Sequence, residues 1–237
     1  HNLSGFSVIV WKAAKRLNLN IVHTLRDYYL LCPKTAMFKG GRVCGKQCAQ
    51  CYLYSWNKKK MSVLVDTVVG VSKFVLNKHL SMGYFPNSVM RTTIGNEVKI
   101  EKSTKRSPNK IIRFGYLGQL VESKGVDLLI DVFRVLSPEY KWELRVGGDG
   151  ANIEGIKKRI DCPNIFLEGR VDPSDFLSKI DVLIVPSIWE EPFGRVVLEG
   201  IKAGVLVFGS KKGGIQDLLE DSYLFEPTIE GLTQKVR

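Results

Sequence analysis

Short apolar runs alternate with amphipathic stretches throughout the second half of the chain. The runs predict buried strands, and apolar positions repeated at intervals of three and four predict helices. The predicted strands span 112–117, 142–146, 165–167, 182–185 and 205–208, and the predicted helices span 125–136, 153–160, 173–179 and 195–203. This strict alternation predicts an α/β fold with a parallel, doubly wound sheet that carries helices on both faces.

The first half of the chain is less regular. It predicts strands at 21–24, 67–71 and 89–94 and helices at 7–17, 52–64 and 72–81, with Ser72 as the N-cap of the third helix. Residues 27–54 predict an irregular loop that is long enough to indicate a function. His79 has no ligand partner nearby in the sequence, and we expect it on a helix surface.

A polar, charged segment separates the two halves. Residues 101–110 have the sequence E-K-S-T-K-R-S-P-N-K, which is typical of a linker. We therefore predict one domain over 1–100 and another over 111–237. The chain begins at His1, shows neither a signal peptide nor a membrane-spanning apolar run, and stops inside a predicted helix. These features predict a cytoplasmic fragment of a longer protein that lacks both ends.

Charge is unevenly distributed between the two halves. Residues 1–110 hold 19 lysines and arginines against 4 acidic residues, whereas residues 111–237 hold 16 against 20. The basic half predicts an anionic partner. The chain has no nucleic-acid recognition motif, so we expect no nucleic acid there. An anionic membrane surface fits better, and a merely solvated basic surface is the alternative.

The stretch from Asp181 to Gly204 combines a strand, a polar loop and a helix that begins at Arg195. Ligands of α/β sheets bind beyond the carboxyl ends of strands, and a helix N-terminus favours a phosphate. Glu191 lies in the loop and Glu199 lies within the helix. This arrangement suits a ligand with a central diphosphate and hydroxyls at both ends, as in a nucleotide sugar.

Two glycine-containing turns predict further parts of the same site. The segment G-Y-L-G-Q-L-V-E-S-K-G over 115–125 joins a strand to a helix. In it, Gly118 permits close approach of a ligand to the backbone, and Lys124 can bind a phosphate. The turn G-G-D-G over 147–150 follows the next strand.

These segments together resemble the retaining glycosyltransferases of GT-B architecture, family four (glycosyl transferases group 1). The resemblance rests on the two turns, on E-P-F-G-R-V-V-L-E over 191–199, on F-L-E-G-R-V over 166–171 and on K-K-G-G-I-Q-D over 211–217. It implies two Rossmann-like doubly wound parallel-sheet domains, the N-terminal one incomplete. It also implies transfer of a hexosyl unit from a UDP- or GDP-sugar to a lipid-linked or surface-polysaccharide acceptor, with no cofactor for catalysis.

The resemblance also assigns roles to residues. It implies that Glu191 binds sugar hydroxyls, Glu199 binds the ribose, and Lys124 neutralises the leaving diphosphate. Gln119 stands where the family usually has arginine, and glutamine carries no charge. The implied donor-binding residues are Gly118, Gln119, Lys124, Gly148, Arg170, Val171, Glu191, Phe193, Gly194, Arg195, Val196 and Glu199.

The first half resembles the acceptor domain of a bacterial subgroup of that family. The segment H-T-L-R-D-Y-Y-L-L-C-P over 23–33 corresponds to the usual H-D-Y-W-x-L-C-P, with Asp27 matched and Arg26 in place of the common histidine. Arginine cannot act as a general base at ordinary pH. His1 and Asn2 match the end of the subgroup's H-x-H-N segment. The implied catalytic residues are Glu191, Lys124, Asp27 and Arg26.

Four cysteines lie close together in the first half, at Cys32, Cys44, Cys48 and Cys51. Their spacing predicts a tetrahedral thiolate site for structural zinc. Unliganded reduced thiols and a redox or iron–sulfur role are the alternatives.

Two other functions stay open. One is a relative of the same fold that forms a glycoside on a sugar phosphate. The other is a non-catalytic sugar-nucleotide-binding or scaffold protein, which the departures at Gln119 and Arg26 favour.

Overall fold

The computed structural model describes Leu3 and residues 6–100, 111–136 and 141–237. The chain divides into two compact units, of which the first comprises His1–Asn96 with Glu191–Phe193 and the second comprises Glu97–Glu190 with Gly194–Arg237. Residues 97–100, which we predicted in the first domain, group with the second unit, where Ile100 packs against the core. The predicted linker at 101–110 and the matches at His1 and Asn2 lie outside the described residues.

A three-stranded parallel sheet organises the first unit, in the order β1-β4-β5. Its elements are α1 (Ile9–Arg16), β1 (Val22–Leu25), β2 (Phe38–Lys39), β3 (Arg42–Val43), α2 (Ala49–Met61), β4 (Thr67–Gly70), α3 (Lys73–Ser81) and β5 (Met90–Thr93). Val22 pairs with Thr67, and Thr67 in turn pairs with Met90. Ser72 caps α3 as predicted, since its hydroxyl accepts a hydrogen bond from the Val75 N–H at 3.0 Å.

The predicted irregular loop over 27–54 is partly regular. It contains the antiparallel ribbon of β2 and β3, which turns at Gly40 and Gly41 with positive φ angles. It also contains the start of α2, which begins three residues earlier than predicted, with Cys48 as its N-cap. The prediction missed both because two-residue strands show no alternation and cysteine is not among the usual capping residues.

The core of the first unit is rich in aromatic and histidine side chains. His79 is fully buried, so the prediction that it lies on a helix surface is wrong. It follows Val75 by one helical turn and therefore shares that residue's buried face, with its Nδ1 2.8 Å from the Val75 carbonyl oxygen. The rings of His79 and Tyr28 stack at 6.4 Å between centroids, and His23 stacks on Phe85 at 5.8 Å.

A six-stranded parallel sheet organises the second unit, in the order β11-β10-β9-β6-β7-β8. Its elements are β6 (Ile112–Leu117), α4 (Val126–Arg134), β7 (Trp142–Gly147), α5 (Ile153–Arg159), β8 (Ile165–Gly169), α6 (Pro173–Ser178), β9 (Val182–Val185), α7 (Arg195–Lys202), β10 (Leu206–Ser210), β11 (Leu224–Phe225) and α8 (Ile229–Val236). The predicted parallel sheet is confirmed, and the predicted strands agree with the observed ones to within two residues at each end. Two apolar clusters pack in this unit, one around Phe133 and Leu144 and the other around Phe176 and Val197.

None of the helices in the described part of the chain is both long enough and apolar enough to cross a membrane.

Candidate functional site

The order of strands in the second unit places a crevice between β6 and β9. From β6 the chain continues to β7 and β8 on one side of the sheet, whereas β9 leads to β10 and β11 on the other. The loops that leave the carboxyl ends of β6 and β9 therefore run in opposite directions. Such a switch point is where open α/β sheets bind their ligands.

The loops that follow β6 and β9 are locked together. The N–H groups of Ile188 and Trp189 both donate to the Ser123 carbonyl oxygen at 3.1 Å. Gly125 approaches so closely that a Cβ there would lie 2.0 Å from the Pro186 carbonyl oxygen, so only glycine fits. These contacts fix the backbone on either side of Lys124.

Lys124 lies in the turn after β6, as predicted. Its Nζ lies 5.2 Å from the centre of the Trp189 ring, within the range of a cation–π contact. The sequence analysis did not single out Trp189. The signal that could have found it is an aromatic residue placed directly before the paired glutamates of the predicted loop.

The glycine turns after β6 and β7 also interlock. Gly148 has a φ of +142°, and a Cβ there would lie 1.8 Å from the Gly118 carbonyl oxygen. The Gly118 N–H donates to the Gly147 carbonyl oxygen at 3.1 Å, and the Gly148 N–H donates to that of Gly169 at 2.6 Å. The structure therefore brings the predicted Gly118 and Gly148 into direct contact, and both of their N–H groups are used within the turns.

The remaining predicted residues near these turns lie at the surface. Gln119 is exposed, and its carbonyl oxygen accepts a hydrogen bond from the Tyr116 hydroxyl at 2.7 Å. Arg170 is also exposed, with its Nε 3.2 Å from an oxygen of Asp149. Val171 lies beside Gly147, at the carboxyl end of β7.

The N-terminus of α7 carries no side-chain cap. Gly194 precedes the helix in the left-handed conformation, with a φ of +87°. Arg195 and Val196 open the helix, and the Nε of Arg195 donates to Oε1 of Glu199 at 2.8 Å. The Glu199 side chain is 9% exposed and the Arg195 side chain is 71% exposed. The ion pair therefore joins a buried carboxylate to an exposed guanidinium at the start of the helix. Uncapped N–H groups at a helix N-terminus can bind an anion.

Glu191 and Phe193 group with the first unit. Glu191 is buried, and the Pro192 carbonyl oxygen accepts a hydrogen bond from the Ser72 hydroxyl at 2.5 Å. The Phe193 ring packs beside Gly95. The other ten of the twelve predicted donor-binding residues belong to the second unit.

Asp27 and Arg26 follow β1 in the first unit. Asp27 accepts a hydrogen bond from the Tyr29 N–H at 2.8 Å, and burial raises the pKa of its carboxyl group, although that hydrogen bond and the nearby Lys58 and Arg26 oppose the shift. The Nη2 of Arg26 lies 3.3 Å from the side-chain oxygen of Asn96. A carboxyl group with a raised pKa is suited to proton transfer.

The sulfur atoms of Cys32 and Cys51 lie 3.7 Å apart. In the part of the chain that the structure describes, no three or more histidine, cysteine or acidic side chains are already arranged to hold a metal ion. The four-cysteine zinc site therefore stays a prediction.

Comparison with known proteins identifies the class. The family model for glycosyl transferases group 1 matches residues 97–237, which is more than half of the chain, so the chain belongs to that family. Solved structures with the same fold include Anabaena HepE in complex with UDP, with a TM-score of 0.75 at 19% identity over 97% of this chain and 65% of that one. The fold is accordingly of the α/β, Rossmann-like GT-B type.

Two relatives are similar to the chain in amino-acid sequence. It is 34% identical over 218 residues to an uncharacterized 42.6 kDa protein in the cps region of Klebsiella pneumoniae, a match that covers 92% of this chain and 58% of the relative. It is 32% identical over 108 residues to the O-antigen biosynthesis glycosyltransferase WclY of Escherichia coli, covering 44% of this chain and 30% of that protein. The chain thus spans a little over half the length of the first relative and less than a third of the second.

Proposed function

We propose that this chain contributes the donor-binding part of a retaining glycosyltransferase, of family four, which transfers a hexosyl unit from a UDP-sugar to a lipid-linked or surface-polysaccharide acceptor. The observation that carries the proposal is the crevice between β6 and β9, where two interlocked glycine turns and Lys124 meet at a switch point. The O-antigen function of WclY and the UDP bound to HepE support the choice of acceptor and donor.

The proposed donor site treats the two ends of the nucleotide sugar differently. The diphosphate binds the N–H groups at the start of α7 and the Lys124 ammonium, because both offer positive charge to an anion. Glu199 is buried one turn into the same helix and accepts hydrogen bonds from the ribose hydroxyls. Glu191 accepts hydrogen bonds from the hydroxyls of the sugar.

In the proposed reaction the bond between the anomeric carbon and the diphosphate oxygen breaks while the acceptor oxygen bonds to the same carbon from the same face. The acceptor hydroxyl gives its proton to the departing phosphate oxygen. Lys124 and the α7 N-terminus stabilise the negative charge that develops there. Asp27 and Arg26 bind the acceptor on the first unit.

Calorimetric titration of the whole chain with UDP, GDP and their hexose conjugates tests the donor site. We expect UDP to bind, and Glu199→Gln to weaken binding at least tenfold, since a hydrogen bond to a charged group contributes about 1.5–3 kcal/mol. Glu154→Gln is the matched control, because that carboxylate is exposed on α5. Equal affinity in both variants would refute the assigned role of Glu199.

Gln119 separates an enzyme from a non-catalytic binding protein. Its exposed side chain follows Gly118 in the segment that also carries Lys124, which we assign to the diphosphate, and it supplies no charge there. In an enzyme we expect Gln119→Arg to keep or raise the rate of sugar transfer from UDP-hexose to a lipid-linked acceptor. If neither form transfers sugar while both bind UDP, the chain is a binding module.

We also propose that the first unit binds an anionic membrane surface through α2. This helix exposes Tyr52, Leu53, Tyr54 and Trp56, and among its described side chains only Ser55 is buried. Three lysines form its last turn, and the Lys60 Nζ lies 5.4 Å from the centre of the Trp56 ring. Aromatic side chains beside lysines are typical of helices that lie in the interface of anionic lipid.

Flotation with vesicles of phosphatidylcholine, with and without phosphatidylglycerol, tests this surface. We expect binding only when phosphatidylglycerol is present, and about a tenfold loss with Leu53→Ser, because inserting that side chain removes apolar surface from water. Val135→Ser is the matched control, since Val135 is 71% exposed on the second unit and Leu53 is 75% exposed. Binding that does not respond to Leu53→Ser would exclude α2 as the membrane contact.

A further inference from the structure

The segment from Asp27 to Cys51, here called the cysteine lobe, holds little regular structure. Before α2 it contains two strands of two residues each. Thr35 and Met37 adopt positive φ angles of 59° and 48°, which are costly for residues other than glycine. A bound metal would cross-link this segment and stabilise its backbone.

Two of the four sulfur atoms are in contact, and a third lies at the start of the same helix. The Cys51 thiol lies 3.7 Å from the Cys32 sulfur. The Cys48 sulfur in turn accepts the Cys51 N–H at 3.5 Å at the start of α2. Cys48 and Cys51 therefore lie within one helical turn of each other, and Cys51 contacts Cys32.

The separation of the Cys32 and Cys51 sulfurs is too long for a disulfide and is compatible with zinc ligation. At a Zn–S bond length of about 2.3 Å and a tetrahedral angle, two zinc-bound sulfurs lie roughly 3.8 Å apart. A disulfide requires about 2.05 Å. The observed 3.7 Å between Cys32 and Cys51 matches one edge of a zinc tetrahedron.

The charge of the lobe fits the same ligand. Between Cys32 and Cys51 the sequence holds Lys34, Lys39, Arg42 and Lys46 and no acidic residue. Four thiolates around one divalent zinc ion carry a net charge of −2. The net positive charge of this stretch is therefore of the opposite sign to a zinc–thiolate centre.

We propose that Cys32, Cys44, Cys48 and Cys51 bind one structural zinc ion. Cys44 follows β3, and its N–H donates to the Met37 carbonyl oxygen at 2.8 Å, so the ribbon carries it. Binding requires the Cys44 and Cys48 side chains to turn toward the Cys32–Cys51 pair. The thiols release protons to solvent as the four Zn–S bonds form, and no electron is transferred.

The zinc ion would also fix the residues that precede Cys32. The Lys58 Nζ of α2 donates to the Tyr29 carbonyl oxygen at 2.7 Å and lies 3.6 Å from the centre of the Tyr29 ring. Asp27 accepts the N–H of the same Tyr29. Tying Cys32 to the start of α2 therefore holds Asp27 in place. This inference does not depend on the proposed transfer reaction.

Metal content of the whole chain, purified under reducing conditions, tests the proposal. We expect one zinc per chain, released when the thiols are modified with a mercurial and detected with a colorimetric zinc indicator. Cys48→Ser and Cys44→Ser should each weaken zinc binding at least tenfold, because losing even a hydrogen-bond partner of a metal ligand commonly weakens binding by about that much. Cys162→Ser is the matched control, because Cys162 lies in the second unit.

Cobalt substitution of the unaltered chain gives a readout that does not require the variants to fold. Tetrahedral thiolate ligation produces intense visible and near-ultraviolet bands, which added zinc should abolish. Two outcomes would overturn the proposal. One is a metal-free chain in which all four thiols react rapidly with an alkylating reagent. The other is a mass lower by two hydrogens, with Cys32 and Cys51 joined in a disulfide.

Discussion

The cores of the two units are built from different side chains. The second unit buries aliphatic and aromatic residues between a six-stranded sheet and its helices, with Phe133 in edge contact with Phe114 and Trp142. The parallel sheet of the first unit has three strands, and this unit buries two histidines, His23 and His79, among aromatic rings. The chain's three histidines all precede residue 80. Both cores are mainly apolar, but in the described part of the chain only the first unit buries histidines, so the two units should differ in their response to acid.

The largest expected effect is in the second unit, at the glycine turns. Gly148→Ala places a Cβ 1.8 Å from the Gly118 carbonyl oxygen, within the donor site that we propose, so the turns must separate. We expect a loss of about 3 kcal/mol or more in the free energy of unfolding, together with loss of UDP binding. Urea denaturation monitored by hydrogen exchange, which resolves the two units, measures it.

Gly169→Ala is the control for this change. Gly169 also has a positive φ, of +69°, but a Cβ there would meet nothing within 4 Å. Gly169→Ala should therefore lower the free energy of unfolding by only about 1 kcal/mol, the cost of holding alanine in the left-handed conformation. Equal losses in the two variants would show that close approach of the turns does not stabilise the second unit.

The next effect belongs to the first unit and depends on pH. Burial lowers the pKa of His79 from 6.5 to about 4 and that of His23 to about 3. Because the unfolded chain binds these protons more readily, their stabilising effect is complete above pH 6.5 and is lost as the pH falls toward 4. The shift of His79 corresponds to about 3 kcal/mol.

Hydrogen exchange at pH 7 and pH 5 should therefore show faster opening of the first unit at the lower pH, with a smaller change in the second. His79→Phe should reduce that difference, because it removes one buried titrating group while preserving a ring stacked on Tyr28. Equal acid sensitivity of the two units in the unaltered chain would count against this account.

The smallest effect compares two helix N-caps, one in each unit. Ser72 accepts the Val75 N–H and also donates to the Pro192 carbonyl oxygen, whereas Thr228 accepts the Gly231 N–H at the start of α8. Ser72→Ala should cost about 2 kcal/mol and Thr228→Ala about 1, because only the first change also breaks a second hydrogen bond. Urea midpoints of the two variants check the order, and a larger loss for Thr228→Ala would reverse it.

Regular patterns made the second unit predictable. The apolar run Val182–Val185 is a strand with the predicted bounds, because a continuous apolar run that ends at Pro186 marks a strand buried on both faces. The glycine segments after β6 and β7 could be located in the same way, since each lies where a strand pattern ends. The cysteine lobe lacked such a pattern, so its ribbon and the early start of α2 were missed.

The sequence by itself determined the fold class, because local periodicity and glycine positions specify strands, helices and turns; the site residues around the β6–β9 crevice stay a prediction. Only the tertiary structure decided which distant residues share an environment. It placed His79 in the core, joined Ser123 to the loop of Trp189, grouped Glu191 with the first unit and brought the Cys32 and Cys51 sulfurs together. These contacts join segments that are far apart along the chain, and packing, which no local pattern encodes, selects them.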